Sequence, residues 1–592
     1  MAAAGLALPG GRFPGKSASG LPLPPLAQFD YGDITLSSDP HEKQLDETHA
    51  VLMGLSDDSL LKPLREMSGQ PAPGEDLGGW YRYNPDYKYG DRDGFAPSCT
   101  FGQWVSALAR MYAIKRDRPT REKVLRLNCL YAKTISGDYY EKNRFPTYCY
   151  DKIVCGLIDS HKYVGDRGAF SILDHTTNTA LPHFPRQAVE HGKAWRPNKD
   201  FTWTWDESYT ISENLFLAYQ RGAGKRYREL GRQYLDDEYY APLADGRNVL
   251  AGRHAYSHVN SLSSAMQAYL TLGSEKHLRA ARNAFDMLSQ QSFATGGWGP
   301  DETLSGPGSS GLYASLANTH ASFETPCGAY AHFKLTRYLL RVTRDSRYGD
   351  SMERMMYNTV LGAKPLMADG RTFYYSDYNF NGTKFYRDNQ HWACCSGTLP
   401  QVAADYRINT YFRDPGGAWV NLYIPSTLRW KQNGAEIVLN QTSQYPYENV
   451  VQFDVQTSRA RDFTLSFRIP FWATGASISV NGRRVQTDVT PGTFAAVHRQ
   501  WNSGDRIELD LPMTTRLEAI DPEHSETVAL LYGPLVLFAI TETQPSLTRA
   551  NLLAAKRTGQ RSWEATTAGA SLKLLPFVEI ADEQYSTYLR VI

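Results

Sequence analysis

The chain has 592 residues, which is too long for one ordinary hydrophobic core and predicts two or three domains. Its formal net charge is +1 with both signs interspersed, so neither nucleic acid nor an anionic membrane is indicated as a partner. The seven cysteines are an odd number, and four of them (Cys99, Cys129, Cys149 and Cys155) lie in apolar or mixed helical surroundings, which argues against a disulfide framework. No apolar run is long enough to span a membrane.

The first 27 residues are rich in Gly, Pro and Ser and are predicted to form a flexible arm. Residues 1–9 are small and apolar, but they lack the charged n-region and the full h-region of a secretion signal. We interpret them as the remnant of a trimmed signal with a new Met, or as a simple tail. We therefore expect an exported protein, periplasmic or extracellular, with a cytoplasmic protein as the alternative.

Helical periodicity then dominates to about residue 413. One pattern repeats four times: an amphipathic helix ends in an aromatic residue, a polar loop follows, and the next helix has a basic start. The four copies lie at residues 109–119, 218–227, 268–277 and 338–348. Such helical hairpins, repeated around a circle, close into an α/α barrel with a funnel at one end. The alternative is an open α-solenoid.

Short alternating segments replace the helical pattern after about residue 413. They lie at residues 420–424, 436–439, 463–469, 477–480 and 506–511. Asn481-Gly482 follows one of them and predicts a two-residue hairpin turn. Regular spacing of short strands is typical of an antiparallel β-sandwich, which we predict from residue 416 to 515.

The adjacent pair Cys394-Cys395 is the strongest chemical signal in the chain. Two neighbouring cysteines rarely bond to each other, because the small ring strains the disulfide geometry. Both can face a soft metal, and Glu324 and Cys327 offer a carboxylate and a third thiolate three residues apart. One Glu and three Cys form a tetrahedral set that zinc accepts. The alternatives are a closed structural zinc site and ordinary buried cysteines.

Four motifs together resemble a known family. They are Gly296-Gly297-Trp298-Gly299, Glu324-Thr325-Pro326-Cys327, residues 351–362 (SMERMMYNTVLG) and the run around the cysteine pair. Residues 296–401 resemble glycoside hydrolase family 127, typified by β-L-arabinofuranosidase, and the resemblance extends more weakly over almost the whole chain. It implies a multidomain, mainly α protein with an (α/α)6 barrel at residues 28–413, followed by the antiparallel β-sandwich. Residues 516–592 would add strands that pack back on the barrel.

The resemblance also implies a chemistry. It identifies the chain as similar to retaining exo-glycosidases that act on side chains of plant or microbial polysaccharides and oligosaccharides. Cys394 maps to a zinc-bound nucleophile, and Glu302, shortly after the Gly-Gly-x-Gly turn, maps to the acid/base, with Asp301 as the alternative. The implied zinc ligands are Glu324, Cys327, Cys394 and Cys395. The family motif is Glu-Thr-Cys, so the extra Pro326 makes Glu324 the less secure ligand.

Substrate-binding residues follow from aligned family segments: Gln103, Asp151, Trp205, Glu207, His254 and His258. Gln103 and Asp151 stand where the family carries histidines that contact the sugar. We infer that the fold and the zinc site are retained while the sugar differs. His254 and His258 are four residues apart, but no acidic partner shares that spacing, so sugar hydrogen bonding is favoured over a metal pair.

Three other interpretations stay open at this point. A glycosidase with a structural zinc would use two carboxylates, pairing Glu302 with Asp151, Asp206, Glu207 or Glu213. A polysaccharide lyase on the same toroid would need a Tyr or His base. A non-catalytic carbohydrate-binding protein is disfavoured by the intact cysteine pair and Glu302.

Overall fold

A computed structural model describes residues 23–88, 90–190, 206–567 and 570–592. Its α-helices are α1 Asp39–Gly54, α2 Asp57–Met67, α3 Phe101–Lys115, α4 Arg118–Ala132, α5 Gly137–Lys142, α6 Pro146–Asp159, α7 Ala169–Ala180, α8 Ser212–Gln220, α9 Lys225–Gln233, α10 Asp237–Ala244, α11 Ala255–Leu272, α12 Glu275–Ser289, α13 Gly311–Asn318, α14 Thr325–Thr343, α15 Arg347–Asn358, α16 Cys395–Thr410 and α17 Arg549–Leu553.

The helices form a closed double ring. Helices α3, α6, α8, α11, α14 and α16 contact one another in that order, and α16 returns to α3. A second helix packs outside each of them, in the pairs α3–α4, α6–α7, α8–α9, α11–α12, α14–α15 and α16–α1. The predicted (α/α)6 barrel is confirmed, and the open solenoid is wrong because the first and last inner helices touch.

Burial separates the two rings. Every residue of α16 is buried, whereas α12 buries one face at helical spacing. Several charged groups inside the ring are paired with each other. The Asp405 carboxylate accepts hydrogen bonds from Arg110, at 2.9 Å, and from Arg337, at 3.4 Å. Such pairing removes most of the cost of burying a charge.

The four repeated sequence patterns are the turns from inner to outer helices, α3–α4, α8–α9, α11–α12 and α14–α15. Gly273 ends α11 in the left-handed conformation with φ 71°, the usual way in which a glycine ends a helix. The short turns occupy the C-terminal ends of the inner helices. Longer loops reach the N-terminal ends, and these loops carry the site described below.

The strands are β1 Ala27–Gln28, β2 Ile34–Leu36, β3 Phe323–Glu324, β4 Tyr375–Ser376, β5 Tyr411–Asp414, β6 Gly417–Val420, β7 Ser426–Gln432, β8 Ala435–Ser443, β9 Val450–Thr457, β10 Arg461–Ile469, β11 Ser477–Val480, β12 Arg483–Arg484, β13 Thr493–Trp501, β14 Arg506–Asp510, β15 Thr515–Ala519, β16 Thr527–Tyr532, β17 Leu535–Ile540, β18 Lys556–Arg557, β19 Trp563–Thr566, β20 Ser571–Pro576, β21 Tyr585–Ser586 and β22 Leu589–Arg590.

Two sheets form the sandwich, with strand orders β1-β5-β6-β10-β13 and β12-β11-β14-β9-β8-β7-β2. Their pairings are antiparallel except for β6 with β10. The predicted Asn481-Gly482 turn joins β11 to β12 with both residues at positive φ. The strand predicted at 420–424 is misplaced: it ends at Val420, because the Asn421 carbonyl accepts a hydrogen bond from Arg468 instead of a strand partner.

The beginning of the described chain also belongs to the sandwich. β1 pairs with β5 and β2 pairs with β7, so each sheet gains an edge strand from the segment that precedes the barrel. Leu26 is fully buried, and its backbone N–H donates to Arg341 of α14. These contacts tie the sandwich to the helical ring.

A third sheet follows, in the order β15-β16-β17-β20-β19-β18, with β21 on β17 and β22 on β16. It packs on α15, the helix of the 351–362 motif. Arg354 donates to both carboxylate oxygens of Glu518, at 2.7 and 3.0 Å. The Asn358 side chain bridges the Pro534 carbonyl and the Val536 N–H, at 2.9 and 2.7 Å. Within the described parts of the chain, no helix combines the length and the apolarity needed to cross a bilayer.

Candidate active site

A cavity of about 250 Å³ lies at the N-terminal ends of the inner helices. Helix N-termini carry partial positive charge and expose free N–H groups, so this end of the barrel favours anionic side chains. The wall is formed by Trp80, Tyr87, Gly90, Asp91, Arg92, Phe95, Ala96, Cys99, Phe145, Tyr148, Glu207, His254, Tyr256, Glu302, Glu324, Tyr374, Gln390 and Cys394.

Three cysteines and one glutamate meet at the base of this cavity. Glu324 precedes α14 and Cys327 lies in its first turn, while Cys394 precedes α16 and Cys395 begins it. All four are buried, and their donor atoms lie within 4.8 Å of one another. The Sγ atoms of Cys395 and Cys327 are 3.4 Å apart, and Glu324 Oε1 lies 3.3 Å from Cys394 Sγ. This buried set of soft thiols and one carboxylate can hold a metal ion.

The extra Pro326 does not separate the carboxylate from the thiols. It occupies the first turn of α14, where proline's missing N–H costs nothing because that N–H has no helical partner. The insertion is thus absorbed by the helix start, and Glu324 reaches Cys395 Sγ at 3.7 Å.

The three cysteines of the cluster differ in access to the cavity. Cys394 lines it and is 8% exposed, whereas Cys327 and Cys395 are fully buried behind it. Hydrogen bonds from the thiols of Cys327 and Cys395, and from the Tyr374 hydroxyl, hold the pKa of Cys394 well below the usual thiol value although burial opposes this. Burial raises the pKa of Cys327 and of Cys395. Negative charge therefore concentrates on Cys394.

Glu302 lies on the same wall, at the end of a strained turn. Asp301 and Glu302 have φ of 51° and 57°, a left-handed conformation that costs a non-glycine residue energy. Gly299 lets the turn approach α11, since a Cβ there would come within 2.4 Å of Ala255 Cβ. The neighbouring Asp301 is exposed, lies off the cavity wall and accepts a hydrogen bond from Thr319.

Both carboxylate oxygens of Glu302 are engaged. His254 Nε2 lies 3.1 Å from Oε2, and the Tyr375 hydroxyl donates to Oε1. Burial alone would raise the pKa of Glu302, but the hydrogen bond and charge of His254, with the Tyr375 bond, lower it below its ordinary value. Burial alone would lower the pKa of His254, but the Glu302 carboxylate raises it above the ordinary histidine value. These opposite shifts favour the ion pair, in which the proton lies on His254 rather than on Glu302.

Glu207 is another carboxyl on the cavity wall. It is 7% exposed, and its Oε1 lies 3.9 Å from His254 Nδ1. Burial raises the pKa of Glu207 to about 7 against the opposing charges of His254 and Lys152. This carboxyl therefore changes protonation near neutral pH.

The other carboxylates considered as partners of Glu302 are held elsewhere. Asp151 accepts from Lys152 at 3.0 Å and from Asn214 at 2.8 Å. Asp206 accepts from the Thr147 and Tyr148 backbone N–H groups, both at 3.1 Å. Glu213 pairs with Lys334 and accepts from Tyr338 at 2.9 Å. None of the three lines the described cavity.

The remaining predicted substrate-binding residues are distributed unevenly. His254 and Glu207 line the cavity, whereas Gln103 packs behind it against Gly397 of α16. His258 points to Glu190, 2.9 Å away, and stacks on Tyr209. Trp205 lies outside the described residues. Substrate contact by Gln103, Asp151, Trp205 and His258 stays a prediction.

Two adjacent tyrosines were not found by the sequence analysis. Tyr374 lies 3.5 Å from Cys394 Sγ, and Tyr375 holds Glu302. β4 carries Tyr375 and pairs with β3, which ends at Glu324. One short ladder therefore places the carboxyl of the cysteine cluster beside both tyrosines. The sequence around Tyr374-Tyr375 did not indicate the contacts with Cys394 and Glu302. Those contacts depend on the pairing of two segments about 50 residues apart.

The fold is an α/α barrel with a buried Cys/Glu cluster at the N-terminal end of its inner helices, and comparison with known families assigns its class. A protein-family model described as "Beta-L-arabinofuranosidase, GH127 catalytic domain" matches residues 33–407. A second, described as "Beta-L-arabinofuranosidase, GH127 middle domain", matches residues 417–513. The chain belongs to glycoside hydrolase family 127. Membership favours a glycosidase over the lyase and binding-protein alternatives.

Solved structures share the fold at low sequence identity. The β-L-arabinofuranosidase Ara127N-Se from Geobacillus stearothermophilus T6 is 17% identical with a TM-score of 0.71, over 95% of this chain and 100% of that one. The GH127 β-arabinofuranosidase BT3674 is 16% identical with a TM-score of 0.72, over 96% and 98%. A search of curated proteins returned no significant match.

Proposed function

We propose that the protein is a zinc-dependent, retaining exo-glycosidase that acts like a β-L-arabinofuranosidase. One observation carries this proposal: within the buried cluster, Cys394 is the thiol that reaches the cavity wall, and Glu302 lies on the same wall. A nucleophile and a proton donor facing one cavity are what retaining hydrolysis requires.

The donor set fits zinc. Tetrahedral zinc with Zn–S of about 2.3 Å and Zn–O of about 2.1 Å separates its donors by about 3.6 to 3.8 Å. The contacts of 3.3, 3.4 and 3.7 Å among Glu324, Cys327, Cys394 and Cys395 are close to these separations. When bound, zinc keeps its thiol ligands deprotonated at neutral pH.

The proposed reaction has two displacements. In the first, Cys394 Sγ forms a bond to the anomeric carbon as the bond to the leaving oxygen breaks, and Glu302 gives that oxygen its proton. In the second, Glu302 removes a proton from water, whose oxygen displaces sulfur from the anomeric carbon. The thiolate and the protonated carboxyl are regenerated. Two inversions give net retention.

His254 supplies the proton that Glu302 needs. In the free site the proton favours His254, because the pKa of Glu302 is lowered and that of His254 is raised. The 3.1 Å contact lets it pass to Oε2, which makes Glu302 a neutral acid. The Tyr375 hydroxyl holds Oε1 meanwhile and keeps the carboxyl aimed.

Cavity size supports exo action on a small sugar. At about 250 Å³ the space lies below the 300 to 1,000 Å³ typical of pockets for drug-sized ligands, so it suits little more than one terminal ring. The family match supports a β-L-arabinofuranoside or a furanoside of similar size. Gln103 and Asp151 replace the sugar-contacting histidines of typical members and do not line the described cavity, so the proposal predicts a different set of hydroxyl contacts.

A two-carboxylate mechanism is the second candidate, and Glu207 favours it. This carboxyl shares the cavity with Glu302 and has a pKa of about 7. In that mechanism the metal is structural and Glu207 takes the second role. In that mechanism Glu207→Gln would reduce turnover more than Cys394→Ala. In the cysteine mechanism Cys394→Ala would be the more damaging change.

The test combines product analysis with trapping. We expect 4-nitrophenyl β-L-arabinofuranoside to be the best substrate in a panel of aryl furanosides and pyranosides, with activity lost on chelation under reducing conditions. NMR of the first product should show retained configuration, and mass spectrometry of acid-quenched enzyme should find one glycosyl group on the Cys394 peptide. A glycosyl group on Glu207, or an inverted product, would replace the cysteine mechanism with the two-carboxylate one.

A further inference from the structure

We propose a second metal site, formed by His254, Glu302 and Glu324, that a divalent cation such as zinc fills when it is in excess. The site adjoins the cysteine cluster and shares Glu324 with it. Its occupation would stop proton transfer by Glu302 and inhibit the enzyme. That inhibitory effect rests on the proposed function, whereas the existence of the site does not.

The geometry of the three side chains suits a cation. One nitrogen and two carboxylate oxygens lie within 4.8 Å of one another. His254 Nε2 and Glu302 Oε2 are 3.1 Å apart, and tetrahedral zinc at about 2.0 to 2.1 Å from each donor would separate them by about 3.3 to 3.4 Å. A small outward movement is enough for both to bind one ion.

Glu324 provides the link between the two sites. Its Oε1 faces the thiols of Cys394 and Cys395, whereas its Oε2 is buried and accepts no hydrogen bond from the described residues. A buried carboxyl oxygen without a partner is costly and is satisfied by a proton or by a cation. A carboxylate can give one oxygen to each of two metals, which in known two-metal sites lie about 3.5 to 4 Å apart.

Charge and ligand softness predict the order of filling. The cysteine cluster offers three sulfurs and binds zinc first, whereas the second site offers only nitrogen and oxygen. Glu207 lies 3.9 Å from His254 and adds negative charge once it ionises. The positive charge of Arg92, on the cavity wall, partly opposes the binding of a cation. We therefore expect a weaker second equivalent.

Binding at this site has a defined proton balance. A cation can bind His254 Nε2 and the Glu302 and Glu324 carboxylates only at atoms that carry no proton, so each proton held there goes to solvent. Glu302 then cannot protonate a leaving oxygen. Excess zinc should slow hydrolysis of an alkyl glycoside by about 10² to 10⁴, the range for general acid catalysis, and should affect the first step of an activated aryl glycoside much less.

The direct test counts metal ions in the full-length protein. Reduced, metal-depleted protein is titrated with Co²⁺ and separately with Zn²⁺, and bound metal is measured at each step. We expect two equivalents in the wild type: the first with an intense thiolate-to-cobalt charge-transfer band, the second without any increase in it. His254→Ala and Glu302→Gln should stop at one equivalent. His320→Ala, a histidine off the cavity wall that bonds to Asp377, should keep two.

Each result decides a separate point. Saturation of the wild type at one equivalent, or a second equivalent kept by both variants, would overturn the site. A second equivalent that strengthens the thiolate band would assign that metal to the cysteines and also overturn it. Absence of the first, thiolate-bound equivalent would instead overturn the proposed zinc cluster. Two equivalents with undiminished turnover of an alkyl glycoside would overturn the inhibitory effect.

Discussion

Glu302→Gln tests the proposed acid/base with little disturbance of the fold. Glutamine has nearly the same shape, its amide oxygen can accept from Tyr375, and its NH₂ group can donate to a neutral His254. Both contacts of the carboxylate are thus replaced. What the variant loses is the transferable proton.

The expected loss depends on the leaving group. For an alkyl glycoside the first step needs the proton, so kcat/KM should fall by about 10² to 10⁴. That range corresponds to about 2.7 to 5.4 kcal/mol of transition-state stabilisation, since each factor of ten is about 1.36 kcal/mol. For a 4-nitrophenyl glycoside kcat/KM should stay within about tenfold, because nitrophenolate leaves with little assistance. Its kcat and KM should fall together as the glycosyl–cysteine intermediate accumulates.

The assay compares both substrates at one pH, with and without azide. Azide needs no general base, so it should restore kcat on the aryl glycoside and give a glycosyl azide of retained configuration. Asp301→Asn is the matched control, since Asp301 is adjacent but exposed and off the cavity wall. It should leave both substrates nearly unaffected. Equal losses for the two leaving groups, or a larger effect of Asp301→Asn, would refute the assignment.

Three further predictions concern the cavity and the cluster. Tyr375→Phe removes the donor to Glu302 Oε1. Initial rates should show kcat/KM lowered about tenfold for an alkyl glycoside and less for the aryl one. Equal effects on the two substrates would contradict a positioning role. Cys395→Ser should lose zinc on gel filtration, as read by elemental analysis, while Cys129→Ser, at an exposed cysteine, should keep it. Glu207 has a pKa of about 7 in the folded protein, above the ordinary 4.5 of the unfolded chain. As the pH rises, Glu207 therefore ionises first in the unfolded chain. Its contribution to the free energy of unfolding falls between pH 4.5 and 7. Glu207→Gln should therefore gain up to about 3 kcal/mol relative to the wild type from pH 4.5 to pH 8 in urea unfolding, and a constant difference would refute the shift.

Local patterns in the sequence determined the architecture. Helical periodicity with repeated turns predicted a barrel or a solenoid of helical hairpins, and the family resemblance favoured the closed barrel. The Asn481-Gly482 turn within alternating segments predicted the sandwich. These features are readable because each depends on residues only a few positions apart. The chain segment at 27–36 shows the limit: nothing local indicates that its short strands pair with β5 and β7, nearly 400 residues away.

The same distinction holds for the site. The cysteine pair, Cys327, Glu324 and Glu302 could be named from motifs, because each lies at a helix start or in a turn with a recognisable local sequence. Which thiol faces the cavity, and which groups hold Glu302, was decided by the ring of inner helices. Tertiary packing brings His254, which precedes α11, and Tyr375 of β4 to one carboxyl. Gln103 and Asp151 do not line the cavity. Gln103 packs against Gly397, and Asp151 accepts a hydrogen bond from Lys152. Side-chain direction and desolvation arise from packing between distant segments, so tertiary structure alone sets the protonation and access of this site.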